Sequence, residues 1–369
     1  MKVYLFACIE KNIGDDLFVE ILCRRYPNVE FIITSRAEYG SLKRLPNLRF
    51  SDNLEKWSRA STRGQRSAVK AFAAKIIQSC YRLALPRCKV GVSIVGNAFK
   101  NKEYTGWTQS RWIRERVGLV KSFYLMSTNF GPYTDENWKK DFDKIFASMS
   151  DVCFRDHYSY DLFSHLPNVR FAPDAVISMG KQNRTKTDSK NVIISLIDCS
   201  FGARGEELKK AAASYESKMC ELICRLTGSG YNVTLLNSNT EQDRPACDRI
   251  LKSCSSDGLR VVDYDGDTEK VMELYRTSDY VIATRLHTIV LAWLFGIPVV
   301  PIVYDIKVNN LLDACNFTGR RFMITESEKL SCDSIIDAMN QYDFVLSEEI
   351  IALSELQFKA LDRELGRNN

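Results

Sequence analysis

Histidine is scarce in this 369-residue chain, with three residues at positions 157, 165 and 287, so a histidine-rich metal centre is not expected. Cysteine is present twelve times, but no Cys-x-x-Cys pair occurs, and the nearest pair, Cys220 and Cys224, is one helical turn apart. That spacing fits a buried helix face better than a metal knuckle or a disulfide framework, and reduced thiols in a cytoplasmic protein are the expected state. Nine prolines and 18 glycines leave no low-complexity or collagen-like tract. No apolar run reaches the roughly 18 to 20 residues of a membrane-spanning helix. Met1 to Ile9 is apolar only briefly before Glu10 and Lys11, so no secretory signal is expected there. What remains is an ordinary globular balance, 45% hydrophobic and 26% charged, on a chain long enough for two domains.

Charge is unevenly placed. Residues 1–180 hold 28 Lys and Arg against 18 Asp and Glu, a net of +10, whereas residues 181–369 hold 23 against 28, a net of −5. Between Glu55 and Glu103 there are 11 basic residues and no acidic one. Such asymmetry points to an anionic partner for the first half. Within Arg66–Leu85, Val69, Phe72, Ala73, Ile76 and Ile77 can share one helix face, ringed by Arg66, Lys70, Lys75 and Arg82. That is the pattern of a basic amphipathic helix on an anionic membrane surface, and equally of a surface helix packed on its own core.

The hydrophobic pattern alternates strand and helix twice over. Strands are expected at Lys2–Ile9, Val29–Thr34, Lys89–Val95, Val120–Ser127, Val152–Arg155 and Asn168–Ala172, with helices across Asp15–Tyr26, Thr134–Ser150 and Tyr158–His165. The polar stretch Lys181–Asn191 reads as a linker. The pattern then restarts with strands Val192–Ile197, Asn232–Leu236, Leu259–Val262, Tyr280–Ala283 and Pro298–Val303. Helices are expected between them at Glu206–Leu226, Gln242–Cys254, Thr268–Arg276 and His287–Phe295, and a long one at Ser347–Leu365. Parallel sheets flanked by helices follow. The expectation is an α/β protein of two Rossmann-like domains facing across a cleft: residues 1–180, linker 181–191, residues 192–346, and a C-terminal helix 347–369 packing back on the first domain.

In open parallel sheets, ligands gather beyond the carboxyl ends of strands, at helix N-termini. Four segments occupy such positions: Asn12-Ile13-Gly14-Asp15-Asp16, Ser127-Thr128-Asn129-Phe130-Gly131-Pro132, Arg155-Asp156, and Ala283-Thr284-Arg285-Leu286-His287-Thr288. The first three also read as helix caps, a strand-ending turn and a local ion pair. Arg285 and His287 are more telling, because a cation and an imidazole beside helix-terminal amides make an anion site with a proton donor.

Taken together these segments resemble the polysaccharide pyruvyl transferase family. The resemblance runs through Asn12-x-Gly14-Asp15, Gly131-Pro132, Arg155-Asp156-x-x-Ser159, Pro173-Asp174, Thr284-Arg285-Leu286-His287, Gly296-Ile297-Pro298 and Tyr304-Asp305-x-Lys307-Val308, in family order. Where such proteins carry a glycine run after the third strand, this chain has Val95-Gly96-Asn97-Ala98-Phe99. The resemblance implies a GT-B-like pair of domains and transfer of a pyruvyl group from phosphoenolpyruvate to two sugar hydroxyls, forming a cyclic ketal. The setting it implies is capsular, exopolysaccharide or cell-wall glycan synthesis, cytoplasmic or peripheral at the inner membrane face.

Under that reading, Arg285, Lys307 and Arg155 are the cations for phosphate and carboxylate, and His287 moves protons. Asp15 or Asp16 orients or deprotonates an acceptor hydroxyl. Asn12, Gly14, Asn97, Asn129, Gly131 and Leu286 line the substrates. Phosphoenolpyruvate serves as donor substrate, no further cofactor or metal is expected, and nucleic acid is not a partner. The acceptor is a sugar, with a lipid-linked oligosaccharide among its forms. Two other readings stay open: a glycosyltransferase of the same architecture using a nucleotide sugar, and a noncatalytic glycan-binding protein on the same scaffold.

Overall fold

The computed structural model describes residues 1–8, 10–34, 40–62, 68–96, 99–100, 106–185, 189–202, 205–254, 256–326 and 329–367. For residues 59–62, 68–75 and 106–108 it describes the backbone only. The chain divides into two compact units, the first made of Met1–Ile9, Asp15–Ala175 and Ala352–Asn369, the second of Glu10–Gly14 and Val176–Ile351.

In chain order, unit 1 holds β1 Lys2–Ala7, α1 Ile13–Arg25, β2 Glu30–Thr34, β3 Leu48–Ser51, α2 Asp52–Thr62, α3 Ala68–Leu83 and β4 Val90–Ile94. It continues with α4 Gly106–Val117, β5 Ser122–Thr128, α5 Glu136–Ala147, β6 Asp151–Phe154, α6 His157–Phe163 and β7 Val169–Phe171. The first two residues of α1 belong to unit 2, along with Glu10 to Asn12. Every pairing in the seven-stranded sheet is parallel, in the order β3-β2-β1-β4-β5-β6-β7. All five residues of β4 are buried, as befits a central strand covered on both faces. On one face α5 brings Trp138, Phe142 and Phe146 against Phe130 and Phe163, with ring centroids 4.7 Å apart for Phe130–Trp138 and for Phe130–Phe163. Asp135 starts α5 by accepting hydrogen bonds from the amides of Asn137 and Trp138.

Unit 2 runs β8 Asn191–Ser195, α7 Glu206–Gly228, β9 Asn232–Asn237, α8 Thr240–Ser253, β10 Leu259–Asp263, α9 Thr268–Arg276 and β11 Tyr280–Ala283. It then continues through α10 Leu286–Leu294, β12 Val299–Val303, α11 Ile306–Ala314, β13 Phe322–Met323, α12 Cys332–Asn340 and the start of α13 Glu348–Ser354, whose residues from Ala352 on belong to unit 1. Its sheet order, β10-β9-β8-β11-β12-β13, repeats that of unit 1, again with every pairing parallel. In each unit the strand order reverses between the first and fourth strands, the place where such folds bind ligands.

Two expectations about chain segments change. Lys181–Asn191 does not mark the division between the units, which falls earlier, between Ala175 and Val176. Its described part is held on unit 2: the Gln182 amide donates to Leu294 O, the Thr185 amide to Arg276 O, and Arg184 pairs with Asp279 at 2.9 Å. Polarity there reflects an exposed strap with satisfied backbone groups.

The single helix expected over Ser347–Leu365 is instead α13, a 3₁₀ turn Glu355–Phe358 and α14 Lys359–Leu365. The tight turn carries Gln357 into the interior of unit 1, where its amide nitrogen donates to Ala172 O at 2.7 Å and its oxygen accepts from the Ser127 amide at 2.9 Å. Arg25 fastens the same segment through Asp362 and Glu355.

Candidate active site

The richest group of candidate residues lies in unit 2, at the reversal between β8 and β11. Thr284 and Arg285 follow β11 directly. The Thr284 hydroxyl donates to Ser195 O at 2.8 Å, and the Arg285 amide donates to the Ser195 hydroxyl at 3.3 Å, so the ends of the two strands are tied together. Arg285 is the N-cap of α10, which puts Leu286 and His287 in the first turn with its unpaired amides. Leu286 is buried and His287 half-buried.

Asp243, in the first turn of α8, fixes the Arg285 fork from two sides: Nε donates to Oδ2 at 2.7 Å and Nη2 to Oδ1 at 2.6 Å. Gln242 Oε1 accepts from Nη2 at 3.2 Å. Asp243 is itself fully buried and also accepts from the Asp198 amide. A bidentate carboxylate sets the plane of a guanidinium, which a lysine ammonium would not allow. Neither Asp243 nor Gln242 was foreseen, because an acid in a first helical turn reads from sequence as a partner of the helix dipole.

Residues 10–14 come into the same unit. Asn12 forms an antiparallel bridge with Asn239, the Ile13 amide donates to Ser238 O, and the Asn12 side chain accepts from the Gly14 amide at 3.1 Å. The decisive contact is between Gly14 and His287. A Cβ on Gly14 would stand 1.6 Å from His287 Nδ1 and 2.3 Å from Cε1. The imidazole therefore lies flush against the backbone at the start of α1, a place that only glycine leaves open. Asn12-x-Gly14 and Arg285-x-His287 thus form one constellation.

Lys307 lies in the first turn of α11, where Asp305 caps the helix by accepting from its amide at 3.1 Å. Its ammonium stands 5.2 Å from the centroid of the Tyr304 ring. The cations act together on that ring: although burial pushes a phenol up, Lys307 and Arg285 hold Tyr304 below its ordinary value. Arg285 and Lys307 therefore share one electrostatic neighbourhood.

Unit 1 uses its candidates differently. Arg155, expected to bind anion directly, is 4% exposed and already carries an internal counter-charge, with Nη1 donating to Asp174 at 2.7 Å. Its Nε donates to Asn129 Oδ1 at 2.6 Å and its Nη2 to Gly96 O at 3.0 Å. Asn129 in turn donates to Asp156, which caps α6 by accepting from the Ser159 amide at 2.8 Å. Burial raises the Asp156 carboxyl above the usual range, against the hydrogen bonds from Ser159 and Asn129. Arg155 and Asn129 are thus clamps that join the loops after β4, β5 and β6. The one glycine kept after β4 belongs to this clamp, since a Cβ on Gly96 would come within 2.9 Å of Arg155 Nη1.

Gly131, with φ of +89°, takes a backbone shape that favours glycine, and its amide donates to Phe99 O. Asp15 and Asp16 fall in the first turn of α1 within unit 1, half-buried and buried respectively, where they complement the helix dipole. Asn97 lies outside the described residues.

Two units with parallel sheets, the six strands of unit 2 following the order of the first six of unit 1, define a GT-B-like protein. Among solved structures, the chain resembles a UDP-N-acetylglucosamine 2-epimerase from Listeria monocytogenes described as putative (TM-score 0.59, 10% identity, covering 100% of this chain and 97% of that one). It is similar also to the Methanocaldococcus jannaschii UDP-GlcNAc 2-epimerase solved with UDP-GlcNAc and UDP (TM-score 0.58, 10% identity, 98% and 100% covered). The spinosyn rhamnosyltransferase SpnG is a further likeness (TM-score 0.50, 13% identity, 100% of both chains). At these identities the likeness is one of fold. No curated protein matches. The family model for polysaccharide pyruvyl transferase matches residues 12–306, and the chain belongs to that family.

Proposed function

We propose that this protein transfers the pyruvyl group of phosphoenolpyruvate to two hydroxyls of a sugar, closing a cyclic ketal during polysaccharide biosynthesis. One observation supports this above the others: family membership coincides with His287 seated on Gly14 beside the Asp243-oriented Arg285. Phosphoenolpyruvate brings a phosphate and a carboxylate on one small molecule, which calls for cations held at fixed geometry. Arg285 supplies a planar fork and Lys307 a point charge, with the first amides of α10 adding partial positive charge.

In the scheme, His287 gives a proton to C3 of the donor, and a sugar hydroxyl bonds to the C2 that becomes electrophilic. Phosphate leaves and a second hydroxyl closes the ring. An imidazole suits this work because it can both give and take a proton. The test is release of inorganic phosphate from phosphoenolpyruvate in the presence of diol sugars, with mass spectrometry of the acceptor. A gain of a pyruvyl ketal supports the reading. Turnover of a nucleotide sugar without use of phosphoenolpyruvate replaces it with the glycosyltransferase alternative that the GT-B-like fold also accommodates.

The same reading places the acceptor at an anionic membrane surface, reached through α3. Along that helix Ile76, Ile77 and Leu83 are 51%, 49% and 90% exposed, and Cys80 is exposed between them at i, i+4, i+7 spacing. Arg82, Arg87 and Lys89 are exposed close by. Side chains of residues 66–75 lie outside the description. Among the described residues, no helix is long and apolar enough to cross a membrane. An apolar stripe among cations fits a lipid surface bearing anionic headgroups. Flotation with anionic vesicles, weakened by salt and by Arg82→Gln with Arg87→Gln, supports this; flotation indifferent to both refutes it.

A further inference from the structure

Tyr304 has no role in the scheme above, yet it is half-buried and its setting is unlike that of the buried tyrosines. It follows the last residue of β12. The pairing of Ala283 with Pro301 brings that strand end beside the end of β11, from which Arg285 departs. The ring packs in part against the core of unit 2, which fixes it, and Lys307 stands 5.2 Å from its centroid. The charged groups that act on its phenol are Lys307, Arg285 and Asp305. Burial and Asp305 push that phenol up, while Lys307 and Arg285 outweigh them, so its ionisation falls below the ordinary tyrosine value. Tyr4, Tyr26, Tyr215 and Tyr275 go the other way, each raised chiefly by burial. Cations that would hold a phosphate therefore already favour the anionic form of this one phenol.

We propose that Tyr304 is the proton donor to the departing phosphate and the base for ring closure, a role that rests on the phosphoenolpyruvate reading. First, His287 delivers a proton to C3, and the first sugar hydroxyl bonds to C2 and returns its proton to His287. The intermediate then carries a methyl group, a new C–O bond and the phosphate on C2. Next the C2–O bond to phosphate breaks, its electron pair leaves with the oxygen, and Tyr304 protonates that oxygen, so hydrogen phosphate departs and Tyr304 is left as phenolate. Finally the second hydroxyl bonds to C2 and gives its proton to Tyr304. Of the two hydroxyl protons, one ends in the methyl group and one on phosphate, and both protein groups return to their starting states. A phenol held low in pKa serves both directions better than an ordinary one, because proton transfer is most efficient when donor and acceptor strengths are close.

Tyr304→Phe keeps the packed ring and removes only the hydroxyl, so at neutral pH circular dichroism and the unfolding midpoint should match the wild type. An ultraviolet titration without substrate should show one tyrosine of the wild type ionising ahead of the rest. It should be absent in Tyr304→Phe and shifted upward in Lys307→Met. With phosphoenolpyruvate and a diol sugar, Tyr304→Phe should lose about 10²- to 10⁴-fold in kcat with little change in KM for the donor. It should also lose the limb of the pH profile that the tyrosine controls, which a purely structural hydroxyl would leave in place. A wild type with no early tyrosinate, or a Tyr304→Phe variant with wild-type kcat, overturns the role and leaves pyruvyl transfer standing. A wild type that shows the early tyrosinate but releases no phosphate from phosphoenolpyruvate overturns the donor reading, and this role with it.

Discussion

Replacing Gly14 with alanine should separate catalysis from stability, because the methyl group has nowhere to go but into His287. Its carbon would stand 1.6 Å from Nδ1, 2.3 Å from Cε1 and 2.4 Å from Cγ. Non-bonded carbons settle at about 3.5 to 4.0 Å, so the imidazole has to retreat by roughly 2 Å or rotate off the helix start. Misplacing a catalytic group by about 1 Å costs on the order of 10²-fold, and the loss in kcat should be at least that. Folding has little reason to suffer. Gly14 is the second residue of α1, its backbone is not in the left-handed region, and alanine is favoured over glycine in a helix by up to about 1 kcal/mol. The assays are phosphate release from phosphoenolpyruvate with a diol acceptor, and denaturant unfolding of the same preparations. Adding His287→Ala to Gly14→Ala should bring little further loss, since two changes that disable one group do not add. A Gly14→Ala enzyme with wild-type kcat would refute the reasoning: either the imidazole is not held there, or it moves no proton.

Arg285→Ala should abolish most phosphoenolpyruvate binding in calorimetry, and Arg285→Lys should fail to restore it, because an ammonium cannot share the two-point bond with Asp243. Asp243→Asn should weaken donor binding by about tenfold, near 1.4 kcal/mol, by loosening the guanidinium plane, and unchanged titrations would show that the plane is set elsewhere. Arg155→Met should take the cation away from the fully buried Asp174 and cost about 3 to 5 kcal/mol in unfolding free energy, a stability loss rather than a selective loss of donor affinity. Raising the pH should leave Tyr304 contributing more to stability: its phenol is depressed on folding, so its contribution is complete only above the ordinary value of about 10 and is lost as pH falls through the folded value. Comparing wild type with Tyr304→Phe in unfolding experiments across that range measures it.

The parallel α/β layout was readable because amphipathic helices and buried strands carry different apolar periods: the helix Thr268–Arg276 and the strand Tyr280–Ala283 have the bounds that periodicity assigns. Leu48–Ser51 escaped because its apolar–polar alternation spans only four residues, too few to stand out, and Phe322–Met323 because two residues carry no period at all. The C-terminal segment kept helical spacing through Gln357, and only tertiary hydrogen bonds to Ser127, Ala172 and Pro173 reveal the tight turn there. Arg285 and His287 were legible from their place after a strand. Their supports were not, since Asp243 is 42 residues away and its bond to Arg285 exists only once α8 and α10 lie on the same sheet.

The two units also show how the same scaffold sets different residues at equivalent places. In both, the fourth strand lies beside the first, so the chain leaving its end enters the reversal where ligands bind. After β4 that chain is Val95-Gly96, and its carbonyl accepts the Arg155 guanidinium, whose charge is met by Asp174. After β11 it is Thr284-Arg285, leading at once into α10 and His287. In unit 1 the arginine comes from the next strand but one and is buried as a tie between loops. In unit 2 it belongs to the reversal itself, oriented by a buried carboxylate and standing in one field with Lys307 and Tyr304. Topology thus offers two equivalent positions, and in unit 2 the one after the fourth strand is taken by an arginine that a buried carboxylate orients.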